Sequence, residues 1–156
     1  MSKTLARLKV RPASLADIPA LLAIEEESFL TDRLSPRGFR HLLTRAQADC
    51  LIASDDGRIA GYAAVLYRHS ARVARLHSLA VAAGIRGRGI GAILLSAAER
   101  AVLLRGVPIL RLAVRQDNSA AIALYQSRAY SELRTAFAYY SDGMSALTME
   151  KVLAVA

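Results

Sequence analysis

The chain has 156 residues, 54% of them hydrophobic and 22% charged, with a net charge of +8 at pH 7. That length predicts one domain, residues 1–156, and this balance excludes an intrinsically disordered chain. A single cysteine, Cys50, excludes an intrachain disulfide, and His41, His69 and His77 show no metal-ligand spacing with one another or with Cys50, so no metal is expected.

The positive charge comes mostly from arginines spread along the chain, without a basic run interleaved with aromatics. Spread arginine suits solvated surface or acidic ligands, and nucleic acid is not expected as the main substrate. No window approaches the length of a membrane span, and MSKTLARLKVRP lacks the apolar core of a signal peptide. A cytoplasmic protein with no membrane partner is the expectation.

Leu8–Arg11 reads as a short strand stopped by Pro12. Ser14 and Asp17 form a capping-box-like start to a helix whose stripe is Ile18, Leu21, Leu22 and Phe29. Glu25 falls on the same stripe, where a carboxylate needs either an ionic partner, such as a nearby arginine, or a water-lined cleft. Ser35-Pro36 is a good start for a second helix, through Phe39, Leu42 and Leu43. Cys50–Ala53 and Ile59–Tyr67 read as strands joined by a hairpin turn at Asp55–Arg58. After the polar turn Arg68–Arg72 comes an apolar run, Leu76–Val81, long enough for a buried strand. The second, third and fourth strands should form an antiparallel meander.

Ala82–Gly91 is rich in glycine and arginine, and from Ile90 onward Ile93, Leu94, Ala97, Ala101 and Leu104 recur at helical spacing. Strand, basic glycine loop and helix form a phosphate-binding arrangement. The first turn of a helix leaves N–H groups unpaired at the positive end of its dipole, and glycine lets backbone approach an anion closely. Arg86 and Arg88 add charge. A dinucleotide-binding reading of Gly87-Arg88-Gly89-Ile90-Gly91-Ala92 fails, because five residues separate the glycines from the strand and the next strand does not end in an acidic residue. A Walker loop fails for want of Gly-Lys-Ser/Thr.

Gly106 and Pro108 end the long helix. Ile109–Val114 reads as a fifth strand, Ala120–Arg128 as a short helix, Tyr130–Tyr140 as a strand with a frayed end, Ser141–Gly143 as a turn and Ala146–Val152 as the last strand.

Two motifs stand in order on this scaffold. Arg86-x-x-Gly89-x-Gly91 after Leu79-Ala80-Val81 resembles the acetyl-CoA signature of the GCN5-related N-acetyltransferases (GNAT). Asn118-x-x-Ala121-x-x-Leu124-Tyr125 resembles that family's second motif. The resemblance covers about Arg11 to Lys151. Through Asn118–Tyr125 and Tyr139-Tyr140…Asp142-Gly143 it leans toward the bacterial ribosomal-protein N-terminal-alanine acetyltransferases. It implies an α/β (α+β) GNAT fold: a central mixed, mostly antiparallel sheet of six to seven strands with helices on both faces. It also implies acetyl-CoA as co-substrate and acetyl transfer to a primary amine by direct attack in a ternary complex. The acceptor would be a protein N-terminus, a lysine or a small amine.

By that resemblance the loop residues Arg86, Gly87, Arg88, Gly89, Ile90, Gly91 and Ala92 would hold the pyrophosphate, and the backbone of the Leu79-Ala80-Val81 strand would hold the pantetheine. Asn118 would contact the CoA arm, and Tyr125 would protonate the leaving thiolate. Two positions depart from the family. Ala129 stands where glycine is usual before an aromatic residue. Ala113, in Leu112-Ala113-Val114-Arg115, stands where the alanine acetyltransferases carry a glutamate base. The replacement candidates are Glu25 and His77. His77 matches the second histidine of H-x-H-x-L-A-V in arylalkylamine N-acetyltransferases, and simple alternation places it with Arg75, Leu79 and Val81 on one strand face. The missing glutamate keeps open an alternative, a CoA-binding module without turnover that acts in regulation. The Phe137–Met144 region, with Tyr139 and Tyr140, is expected to line the acceptor pocket. Oligomeric state stays open, a homodimer being one option.

Overall fold

Two neighbouring strands meet at a sharp reversal. Asp56 and Gly57 have φ of 52° and 84°, the pair of positive values that a two-residue type I′ hairpin turn requires. They join β2 (Ala48–Asp55) to β3 (Arg58–Leu66) in the computed structural model, which describes residues 8–45 and 47–154. β1 (Leu8–Pro12) precedes them, followed by a short 3-10 turn at Leu15–Asp17, α1 (Ile18–Ser28) and α2 (Pro36–Thr44). After the hairpin come β4 (Val73–Val81), a 3-10 turn at Ala83–Ile85, α3 (Ile90–Leu104), β5 (Ile109–Arg115), α4 (Ser119–Ser127), β6 (Ser131–Ala136) and β7 (Ala146–Val152).

All seven strands form one sheet in the order β1-β2-β3-β4-β5-β7-β6, with β4 and β5 parallel and every other pair antiparallel. The meander and the mixed sheet expected from the sequence are therefore present. β6 is shorter than expected: it stops at Ala136, and Ala138 at φ 51° turns the chain out of the sheet.

Each face of the sheet has its own core. On one, α3 sets Ile90, Leu94, Leu95, Ala98 and Val102 against Val65, Leu76, Leu110, Leu112 and Met149. On the other, α1 and α2 bring Leu21, Ile24, Phe39 and Leu42 onto Ile52, Tyr62, Ala64 and Ala80. Phe39 meets Tyr62 edge-on at 5.6 Å and 71°. Truncating a side chain as sealed as Leu21 or Phe39 costs about 2–5 kcal/mol. Cys50 belongs to this second core, and burial pushes its thiol up to about 12, which makes it inert. The start of α1 is held by Asp17, which accepts from the Ser14 N–H at 2.7 Å and takes two hydrogen bonds from Arg11, at 2.9 and 3.0 Å. The Arg11 guanidinium pulls the Asp17 carboxyl down to about 2. No helix among the described residues is long and apolar enough to cross a membrane.

Two helices end the same way with different residues. Gly106 (φ 75°) closes α3, donating to Leu103 O at 2.9 Å while Val107 donates to Val102 O at 3.2 Å. Ala129 (φ 71°) closes α4, donating to Gln126 O at 3.2 Å while Tyr130 donates to Tyr125 O at 3.0 Å. Both are Schellman motifs, whose left-handed residue is ordinarily glycine. Alanine there carries a strain of about 1 kcal/mol. Ala129→Gly is therefore expected to raise stability by about that amount, seen as a higher urea midpoint at unchanged m. An unchanged midpoint would mean that the alanine is unstrained.

Candidate functional site

β4 and β5 pair from Val73↔Ile109 to Leu76↔Leu112 and then part, although β4 runs on to Val81 and β5 to Arg115. Each keeps its other neighbour, β4 with β3 and β5 with β7. The divergence begins at a bulge. Val65 pairs with Leu76 and Ala64 with Ser78, so His77 is the extra, unpaired residue, and such an insertion bends its strand. The bulge also resets the alternation. Leu79 and Val81 pack on the α3 side with Leu76, not on one face with Arg75 and His77 as uninterrupted alternation would place them. Ala80 turns into the α1–α2 core.

Ala82 donates its N–H to Ala60 O at 2.8 Å, across to β3. Backbone alternation therefore turns the polar groups of Ala80 toward β3 and those of Leu79 and Val81 toward the edge that β5 has left. One of the latter is taken: Val81 O accepts from Arg86 Nε at 3.0 Å.

This open edge leads into the glycine loop. Gly87 and Gly89 have φ of 82° and 81°, and a Cβ built on either would meet nothing within 4 Å. Gly89 is the N-cap of α3 and brings no side-chain cap. The N–H groups of Ile90, Gly91 and Ala92 are thus left to whatever lies in front of the helix. The Ile90 side chain is buried beneath them. Gly91 allows close packing, since a Cβ there would lie 3.3 Å from Leu124 Cδ2 of α4. Arg86 serves as an anchor, its Nη2 donating to Ser28 Oγ at 3.1 Å. Nearby, Ala83 N–H donates to Glu27 Oε1 at 2.8 Å, which ties the loop to the end of α1. Arg88 is exposed.

Tyr125 is 6% exposed and packs edge-on against Tyr130 at 5.7 Å. Its hydroxyl has no partner among the described residues, yet its oxygen is not sealed from solvent. Burial, then the neighbouring Tyr140, pushes its pKa up, so the phenol keeps its proton through the ordinary pH range. Asn118 caps α4, its Oδ1 accepting from Ala121 N–H at 3.1 Å.

The two base candidates stand in different settings. Glu25 is 2% exposed, and its carboxylate accepts from the Tyr62 hydroxyl and from Leu34 N–H at 2.7 Å. Its partner is therefore a tyrosine and a loop amide, not an arginine. His77 lies exposed at the point where β4 and β5 part. It directly follows Leu76, the last β4 residue paired with β5, as Ala113 follows Leu112 on β5. Desolvation by the surrounding wall, then the charge of Arg75, lowers its pKa from the usual 6.5.

The β6–β7 loop closes over this point. Arg75 Nη2 donates to the Tyr139 hydroxyl. Arg115, at the end of β5, bonds Asp142 at 2.8 Å and Asp117 at 3.1 Å and lies 5.1 Å over the Tyr140 ring. Ser141 donates its N–H and hydroxyl to Asp32 of the α1–α2 loop, at 3.1 and 3.0 Å. Tyr139 and Tyr140, singled out in the sequence, stand in this loop. Asp32, Arg115 and Glu27 were not singled out, because their partners lie 109, 27 and 56 residues away.

The acetyltransferase (GNAT) family profile matches residues 16–130. The chain is 31% identical over 140 residues to the N-alpha-acetyltransferase RimI of Mycobacterium tuberculosis, 87% of each chain. With an acetyltransferase of Pectobacterium atrosepticum it shares 35% identity over 80 residues, which is 51% of this chain and 55% of that protein. It thus spans about half the length of the latter. Among solved structures, the ribosomal-protein-S18-alanine N-acetyltransferase of Escherichia coli superposes with a TM-score of 0.85 at 27% identity, covering 96% of both chains. The chain belongs to the GNAT acetyltransferase family.

Proposed function

We propose that this chain transfers an acetyl group from acetyl-CoA to a primary amine, the N-terminus of a protein, by direct attack while both substrates are bound. The observation that carries this reading is the strand edge freed by β4, which runs into an uncapped helix N-terminus. The similarity to an S18-alanine acetyltransferase and to RimI supports a protein N-terminus as acceptor.

The residues present fit acetyl-CoA. Gly87, Gly89 and the first turn of α3 offer an open, N–H-lined cradle for a diphosphate. The Leu79 and Val81 backbone offers a strand edge to the amides of the pantetheine. Asn118 has its oxygen in the helix cap, which leaves its amide nitrogen for the CoA arm. When bound, acetyl-CoA supplies an activated acyl group with a thiolate leaving group.

The protein's own groups do the rest. Tyr125 gives its proton to the leaving sulfur. A backbone N–H of the β4 edge polarises the thioester carbonyl. His77 takes the proton from the acceptor ammonium, supplying from β4 the base that Ala113 withholds on β5. Its lowered pKa keeps it neutral, and so competent, at pH 7. The rate falls only when pH drops below that value. Glu25, held by Tyr62 and Leu34, keeps the core beside the cleft in place.

Thiol release from acetyl-CoA, driven by peptides with a free N-terminal amine, tests both levels of the reading. His77→Ala is expected to lower kcat/KM by about 100-fold and to remove the acid limb of its pH profile. Glu25→Ala is expected to lower stability and leave the profile in place. A wild-type rate and profile in the His77 variant would move the base elsewhere. Silence of the wild type across peptides, lysines and small amines, with acetyl-CoA bound, would favour a module without turnover.

A further inference from the structure

The far end of β4 holds a second concave site. It lies between the β3–β4 turn and the turn that joins α3 to β5, and its volume is about 540 Å³. β4 rises about 3.3 Å per residue, so the eight steps from Val73 to Val81 separate this cavity from the glycine loop by about 26 Å. Its lining is mixed: Gln47, Arg68, Ser70, Arg72 and Arg105 stand on it beside apolar residues of the two turns.

The arginines differ in their attachments. Arg105 is fixed, with hydrogen bonds to both oxygens of Asp49, at 3.1 and 3.0 Å, and its guanidinium 4.2 Å over the Tyr67 ring. The Tyr67 hydroxyl donates to the same Asp49 at 2.6 Å. The side chains of Arg68 and Arg72 make no hydrogen bond or ion pair with any described residue. One of the three guanidinium groups is thus held by a carboxylate, and the other two stand at the cavity without a side-chain partner among the described residues. Guanidinium forks match phosphate oxygens in pairs, and two forks beside an amide and a hydroxyl suit a tetrahedral group with more than two oxygens to offer. The cavity also lies within the size range of small-molecule sites, about 300–1,000 Å³.

We infer that this cavity binds a phosphate group, carried by a small phosphorylated molecule or by a nucleic-acid backbone, independently of the acetyl-transfer site. The test uses the whole protein saturated with CoA, so that the glycine loop is already filled. Inorganic pyrophosphate is titrated by calorimetry, and a ten-nucleotide single-stranded RNA by fluorescence anisotropy. Binding of at least one is expected, weakened 10-fold or more in the Arg68→Gln/Arg72→Gln double variant, with acetyl transfer and thermal midpoint unchanged. Pyrophosphate binding alone identifies a small phosphorylated ligand. RNA binding whose salt slope falls by about 1.4 in the double variant identifies a nucleic-acid backbone, since each lost phosphate contact on a single strand removes about 0.7. Failure of both probes to bind, or binding indifferent to the two substitutions, overturns the inference.

Discussion

Acetyl-CoA affinity is expected to fall by at least about 100-fold in Gly89→Glu, equivalent to about 2.7 kcal/mol. Two effects act together. Gly89 sits at φ 81°, where any side chain is strained, so the substitution distorts the entry to α3. The glutamate also brings a negative charge to the positive end of the helix, where the diphosphate is to lie. Gly89→Ala separates the effects: it carries the backbone strain without the charge and should lose far less affinity. Nothing lies within 4 Å of a Cβ at this position, so both variants should fold, and a far-ultraviolet spectrum checks that they do. Calorimetry reads the outcome. Undiminished binding by a folded Gly89→Glu protein would leave the loop as a simple helix cap.

The second large effect is on turnover. Tyr125→Phe should lower kcat by about 100- to 1,000-fold while leaving the KM for acetyl-CoA within about twofold. The substitution removes one oxygen and keeps the ring that packs on Tyr130. Because that hydroxyl has no partner among the described residues, its removal should not lower stability. A hydroxyl with only a packing role predicts the opposite pair of results, a normal kcat with some loss of stability. Unfolding and steady-state kinetics on the same preparation distinguish them.

Much of the frame was legible in the chain because its signals are local. Asp56-Gly57 fixes a hairpin by dihedral preference, Gly106 ends a helix, and the Gly87–Gly91 loop follows a strand and opens a helix. Ala129 was legible as a substitution, and its φ of 71° shows the strain that alanine implies there. What escaped depends on pairing between distant strands. No pattern in Leu76-His77-Ser78 announces a bulge; it arises from how β4 registers with Ala64 and Val65, and it undid the expected sharing of a face by His77, Leu79 and Val81. Glu25 read correctly as a carboxylate needing a partner, but that partner, Tyr62, lies 37 residues on and was read only as strand. The end of β6 depended on Ala138 adopting a conformation alanine seldom takes.

The contact between Asp32 and Ser141 bears on the proposed acceptor. It joins two loops from opposite ends of the chain, while Arg75 and Arg115 hold the same β6–β7 loop down onto the parted strands. The result is a bridge between two loops beside the parted strands. A single tail can be threaded under a bridge, whereas the middle of a folded surface loop would have to bring two tails through at once. If the proposed acceptor passes beneath this bridge, topology favours a free chain end or an extended side chain before any residue of the acceptor is read.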